Sequence, residues 1–314
     1  MDYRLGTIEA SEALIKDLYI NLRKKVNAWS EITKQTSQAR MGYIGQHLTS
    51  IVTGYPGGKS GARGYDIIVS RNPLVYGEIK TCYRVDQLGV CKDCGNVVSS
   101  IEKDCSICNS TNIIRHDDSK WLIGVKDEED LLKVLHPSVY YFVLFEMENI
   151  KDPNNMNVVA TIWEVDPKNI GFSYCMIDYY YNIRSSAPLN IWPHMLKFQL
   201  FKPKMIYQSI IHEDDTIETN VFPTLNNSKY TEIEDLNTYS QSSNLSLEAV
   251  RKCLSDLNVN FDMSANKKDL LSLFENERRS KNISNDDLAD LISKAIYLPK
   301  ISSKISILQK LNQN

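Results

Sequence analysis

Two Cys-x-x-Cys pairs, Cys91-Lys-Asp-Cys94 and Cys105-Ser-Ile-Cys108, are separated by ten residues, and no other feature restricts this chain so tightly. Each turn brings two thiolates toward one ion, and the following Gly95 and Asn109 tolerate the backbone twist that such a turn requires. Four sulfurs at this spacing suit a closed tetrahedral Zn²⁺ that is structural rather than catalytic. The spacing therefore predicts a zinc ribbon inserted at 88–113, with Cys91, Cys94, Cys105 and Cys108 as ligands. The chain has seven cysteines, and this pairing of four argues for a reducing compartment and a metal rather than disulfides. An iron–sulfur centre or a redox pair has no supporting context elsewhere in the sequence.

A second constellation lies just upstream. Asp66 is followed, after eleven residues, by Glu78-Ile-Lys80. The flanking patterns predict two strands, Tyr65–Val69 and Leu74–Ile79, joined by a turn at Ser70–Pro73. Side chains alternate along a strand, so Glu78 and Lys80 share a face while Ile79 points into the core. If the turn folds the strands together, Asp66 faces Glu78. Two adjacent carboxylates repel, and a hard divalent cation with oxygen ligands relieves this; Mg²⁺ is the natural occupant. The Ile79 carbonyl offers a further ligand, and Lys80 is placed to act on an incoming anion. The bare pattern also fits three surface charges on a hairpin. The glycine-rich run Gly54–Gly64 before it lacks the spacing of a nucleotide-binding loop.

The whole chain carries a net charge of −3. Between Asn21 and Arg84, however, stand ten Lys or Arg and only three acids, Glu31, Asp66 and Glu78. A basic stretch around acids that hold a metal suits a polyanion approaching that metal, although a solvated basic face has the same composition. No apolar run reaches the ~20 residues of a membrane helix, and the N-terminus does not read as a signal peptide. A cytoplasmic protein is expected, with no membrane partner.

Periodicity predicts a helix over 9–30 with Ile15, Tyr19, Leu22, Val26 and Trp29 on one face. It predicts a second helix from Ser37 to Val52, stopped at Gly54. Further strands are expected at Trp121–Val125, Val139–Phe145, Val158–Val165, Leu196–Phe201 and Met205–Ile211, with a short helix opened by Asp127–Asp130. The fold class is then mixed α+β (α/β). Residues 1–225 read as one domain carrying the ribbon, 226–244 as a linker rich in Asn, Ser, Thr and acids, and 245–314 as a helical domain. In that last region Leu247, Val250 and Leu254, then Lys267-Lys-Asp-Leu-Leu271, resemble a SAP or helix–extended-loop–helix module; a dimerising or capping bundle is an equal alternative. Two more helices are expected at Asp286–Ile296 and Ser302–Leu311.

Asp66 with Glu78-Ile-Lys80 resembles the PD-(D/E)xK nuclease motif, with Tyr65 where a proline is usual. A wider set of segments resembles the MamI family of type II restriction endonucleases: Arg40-Met-Gly-Tyr-Ile-Gly-Gln-His-Leu48, Gly61-Ala-Arg-Gly-Tyr-Asp66, Glu78-Ile-Lys80, Arg84-Val-Asp-Gln-Leu88, the double Cys-x-x-Cys and Asp117-Asp-Ser-Lys-Trp121. The similarity covers roughly residues 15 to 210. It implies a PD-(D/E)xK core and Mg²⁺-dependent cleavage of both strands of double-stranded DNA at an interrupted GAT…ATC-type palindrome. It places metal ligands on Asp66 and Glu78 and a catalytic lysine on Lys80. Many such nucleases add an acid from the first helix; Glu31 is the candidate, or Gln46 occupies that place without charge. Phosphate contacts fall to Lys59, Arg63, Arg71 and Arg84, and base contacts to Arg84, Asp86, Gln87, Asp118 and Lys120. A homodimer and a partner DNA methyltransferase are expected. A repair nuclease without sequence specificity, or a zinc-ribbon DNA-binding protein that does not cut, remain alternatives.

Overall fold

The computed structural model describes residues 3–33, 42–58, 65–85, 88–98, 102, 104–115, 120–150, 152, 154–184, 188–191, 195–231, 233, 236 and 245–311. The chain divides into two compact units, each drawing on three stretches of sequence. Unit 1 comprises 1–121, 140–164 and 205–229, and unit 2 comprises 122–139, 165–204 and 230–314. The architecture is mixed α+β, and among the described residues no helix is long and apolar enough to cross a membrane.

A seven-stranded sheet organises unit 1. Its strands are β1 (Ile67–Arg71), β2 (Leu74–Tyr83), β3 (Val139–Met147), β4 (Val158–Val165), β5 (Lys204–Ile211), β6 (Ile217–Val221) and β7 (Lys229–Tyr230). They run in the order β1-β2-β3-β4-β5-β6, with β7 also pairing to β5. Tyr140 through Phe145 of β3 are each no more than 2% exposed, so this strand is covered on both faces, as an unbroken apolar run predicts. β1 and β2 form an antiparallel hairpin with Ile67 opposite Gly77, and a bulge interrupts the register between Ile68 and Ser70. No sequence pattern predicts β6: Ile217-Glu-Thr-Asn-Val221 is too polar to stand out.

The N-terminal helix begins as α1 (Ile8–Leu14), widens into a π-helical segment at Ile15–Ile20 and continues as α2 (Asn21–Thr33). The Asn21 N–H reaches back to the Lys16 carbonyl, the i→i−5 bond of a π turn. This corrects the single stripe expected over 9–30. Ile15 and Tyr19 are buried, but Leu22 is 37% and Trp29 66% exposed. The wider turn takes up an extra residue and rotates everything after it, so apolar residues spaced for a regular helix leave the core face. α3 (Gly42–Thr53) buries Ile44, Leu48 and Val52 and ends at Gly54, as expected; the first residues of the expected helix lie outside the described residues.

Unit 2 is mostly helical. It contains α4 (Glu128–Leu135), α5 (Ile170–Asp178), the one-turn α6 (Leu196–Gln199), α7 (Leu247–Asp256), α8 (Lys267–Ser280), α9 (Asn285–Ile301) and α10 (Ile307–Lys310). α4 opens as expected, with the Asp127 carboxylate accepting from the Asp130 N–H. Leu196–Phe201 is not a strand. Its Leu200 N–H bonds the Leu196 carbonyl, and Phe198 and Phe201 pack edge to face. A short apolar run buried on all sides carries no period that separates helix from strand. The same ambiguity hides α5, in which seven of nine residues are buried. The last expected helix shrinks to the single turn of α10. Of the expected linker, Ile233 and Leu236 are buried, while 232, 234–235 and 237–244 lie outside the described residues.

Candidate metal centres and nucleic-acid-facing residues

β1 and β2 build the acidic centre. Carrying their register one residue past the Ile67–Gly77 pair sets Asp66 opposite Glu78, so both carboxylates fall on one face. Outside β1 the chain doubles back on itself. The Gly58 N–H bonds the Asp66 carbonyl at 2.8 Å, and the Ile68 N–H bonds the Pro56 carbonyl at 2.9 Å. A Cβ on Gly58 would stand 1.7 Å from the Tyr65 carbonyl oxygen, so only glycine fits beside the Asp66 backbone.

The Asp66 carboxylate is held at both oxygens. Oδ2 accepts from the Ile79 backbone N–H at 2.9 Å, and Oδ1 accepts from Gln46 Nε2 at 3.1 Å. Glu78 is 4% exposed, and its Oε1 accepts from Lys80 Nζ at 2.5 Å. Ile79 points the other way and is 5% exposed, as strand alternation requires. Burial, and then the charge of Glu78, push the Asp66 carboxyl up to about 6, against the pull of the Ile79 N–H and Lys80. A half-buried carboxylate beside a buried one, with Lys80 bonded to Glu78, sets two like charges together in a poorly solvated place. Such a set fits a divalent cation with oxygen ligands.

Gln46 reaches Asp66 because α3 lies very close to β2. A Cβ on Gly45 would stand 2.1 Å from Thr81 Oγ1, so the glycine sets the distance between helix and strand. The family resemblance names Gln46 for this site, as the uncharged alternative to a third acid; the glycine that lets it approach Asp66 carries no signal that a periodicity argument weighs.

The ribbon is a three-stranded sheet of Val97–Val98, Gly89–Cys91 and Ile113–Arg115, in that order. Its knuckles repeat one geometry. The Gly95 N–H bonds the Cys91 carbonyl and the Asn109 N–H bonds the Cys105 carbonyl, with φ of +74° at Gly95 and +56° at Asn109. The four sulfurs lie within 4.8 Å of one another, and Cys91–Cys108 and Cys94–Cys105 each approach to 3.5 Å. Ligands of a tetrahedral zinc with ~2.3 Å bonds stand about 3.8 Å apart, so the cluster fits that ion. Backbone N–H groups aimed at sulfur lower the Cys91 thiol and bring Cys105 down to about 6, whereas contacts with neighbouring sulfurs raise Cys94 and push Cys108 up to about 12 against the backbone N–H groups aimed at them, so two of the four sulfurs favour the thiolate and two the thiol. Among the described residues, the core beneath them comprises Cys91, Val98 and Cys105, with Ile113 packed against them.

Three of the expected DNA-facing residues fall among the described ones. Arg71 is exposed at the end of β1, and Lys120 is half-buried just before Trp121. Arg84 continues from β2, with its N–H on the Phe145 carbonyl and its guanidinium 3.9 Å from Glu146, its side chain 9% exposed. Lys59, Arg63, Asp86, Gln87 and Asp118 lie outside the described residues, as does the side chain of Glu31.

A family model described as MamI restriction endonuclease matches residues 28–236, about two thirds of the chain. The match contains the acidic hairpin, Gln46 and all four ribbon cysteines. No curated protein and no solved structure matches the chain.

Proposed function

Because the chain belongs to the MamI restriction endonuclease family, we propose that it is a type II enzyme that hydrolyses both strands of double-stranded DNA at an interrupted palindrome, using Mg²⁺ held on a PD-(D/E)xK core. The observation that supports this most directly is the pairing of Asp66 and Glu78 on one face of the hairpin, with Lys80 bonded to Glu78. In this reading Asp66, Glu78 and the Ile79 carbonyl hold the cation. When bound, Mg²⁺ polarises the scissile phosphate and eases formation of the attacking hydroxide.

The remaining roles belong to the chain itself. Asp66 and Glu78 fix where the phosphate comes to rest. Lys80 neutralises the charge that builds on the phosphate and orients the water. The Ile79 N–H keeps Asp66 turned toward Glu78. Arg71, with Lys59 and Arg63, meets the phosphate backbone, and Lys120 with Asp86, Gln87 and Asp118 reads base edges. The ribbon holds Zn²⁺ and stiffens the segment between Gln87 and Asp117. A palindrome is read by two copies about a two-fold axis, so the working form is a homodimer, paired in its host with a DNA methyltransferase that protects the same site.

Incubation of the purified protein with a sequenced plasmid and Mg²⁺ tests the proposal. Discrete fragments with a common end sequence are the expected result. A smear would mean cleavage without site recognition, and unaltered plasmid across a range of salts and divalent ions would mean that the protein binds DNA without cutting it.

A further inference from the structure

We propose that Gln46 is a positioning residue, whose side-chain amide holds the Asp66 carboxylate ready for the divalent cation that Asp66 and Glu78 take up. This rests on the metal site described above and adds to it a part that carries no charge. One hydrogen bond, from the Ile79 N–H to Oδ2, pins one oxygen and leaves the carboxylate free to turn about its own axis. A second donor on Oδ1, from Gln46 Nε2, removes that freedom and fixes the plane of the group. A carboxylate only accepts, so it is the nitrogen of the amide that faces it. Each oxygen keeps a second lone pair for a metal.

The choice of side chain follows from electrostatics. Asp66 already suffers from burial and from Glu78. A third carboxylate at position 46 would add repulsion before any metal arrived, whereas an amide donor stabilises the ionised form without adding charge. The scaffold is rigid. Position 46 follows Gly45, which sits against Thr81, and precedes Leu48, which is fully buried. Loss of a group that orients a metal ligand costs about 10–100-fold in metal affinity or activity, and a group that touches only the ligand and not the reacting atoms falls on the affinity side.

Gln46→Met keeps the length of the side chain and removes the donor. In the full-length, zinc-loaded protein, titration with Mn²⁺ alone, which takes the same oxygen ligands, is expected to show affinity weakened about 10–100-fold. The Mg²⁺ concentration for half-maximal cleavage rises by the same factor, while the rate at saturating Mg²⁺ stays within about threefold of wild type. Unchanged Mn²⁺ affinity overturns the proposal. A rate loss that saturating Mg²⁺ does not recover also overturns it, because Gln46 would then act on the reacting atoms. Gln46→Glu supplies a further check: tighter Mn²⁺ binding with an additional ion per chain would make position 46 a ligand position and overturn the donor role. Asp66→Ala separates the two levels. If it abolishes Mn²⁺ binding while Gln46→Met does not weaken it, only the positioning role fails; if it leaves Mn²⁺ binding intact, the metal site itself fails. Zinc content and thermal unfolding of each variant guard against misfolding.

Discussion

The ribbon and the acidic hairpin are both candidate metal centres, yet they relate to their ions in opposite ways. Among its described residues, the ribbon packs little apolar surface around its four sulfurs beyond Val98 and Ile113. The hairpin rests on a sheet whose central strand is buried on both faces. On the proposed reading a zinc would make the first fold, whereas the second fold would stand ready and make a place for its metal. A structural zinc contributes roughly 10–16 kcal/mol in small zinc-finger peptides, far more than four small side chains can supply. A divalent cation between Asp66 and Glu78 would instead relieve a repulsion that the sheet has already imposed.

The largest effect that contrast predicts is on the ribbon. Cys94→Ser should lower bound zinc from one per chain to none, and the protein should become insoluble or lose the ribbon's protection from proteolysis. A soluble, fully active Cys94→Ser protein without zinc would break the comparison at its first term. At the hairpin the corresponding change should leave the fold alone. Lys80→Ala removes a positive charge that sits 2.5 Å from a buried carboxylate, so cleavage should fall by at least ~10²–10³-fold while DNA binding, read by fluorescence anisotropy, persists. Loss of binding together with cleavage would mean that Lys80 holds DNA rather than acting on the reaction.

How far each region could be read in the sequence follows the same division. The ribbon is local: four cysteines within eighteen residues, two turns and two positive-φ positions, all set by near neighbours. The hairpin is nearly as local, and alternation along β2 assigned Glu78, Ile79 and Lys80 to their faces. What escaped were contacts between distant elements and changes of helical period. The family resemblance alone offers Gln46 for the site; its hydrogen bond to Asp66 depends on Gly45 allowing α3 to approach Thr81, and nothing in the spacing weighs that approach. The π segment at Ile15–Ile20 leaves the apolar pattern intact but turns its second half outward. α5 and α6 are buried on all sides and so have no period to read. Motifs whose geometry is set within one hairpin survive this kind of inference, and packing that depends on one small residue does not.

The smallest effect sharpens the hairpin side through linkage between protons and metal. Asp66 titrates near 6 rather than 3.8 because burial and Glu78 disfavour its charged form. A carboxyl whose pKa is raised by folding gives the metal-free protein stability that is fully present below the unfolded value and is lost as pH rises through about 6. A cation bound to the ionised form reverses that loss. The rise in melting temperature on adding Mg²⁺ should therefore be small at pH 5 and grow as pH passes 6. At ten times its dissociation constant an ion adds about 1.4 kcal/mol, or a few degrees for a unit of this size. The reference must be protein without added Mg²⁺ rather than chelated protein, because a chelator would also strip the ribbon. Asp66→Asn should flatten the pH dependence of the Mg²⁺ effect and leave the zinc content unchanged. A Mg²⁺ shift independent of pH in the wild-type protein would mean that the ion binds elsewhere, and the hairpin would then be an uncompensated acidic pair rather than a metal site.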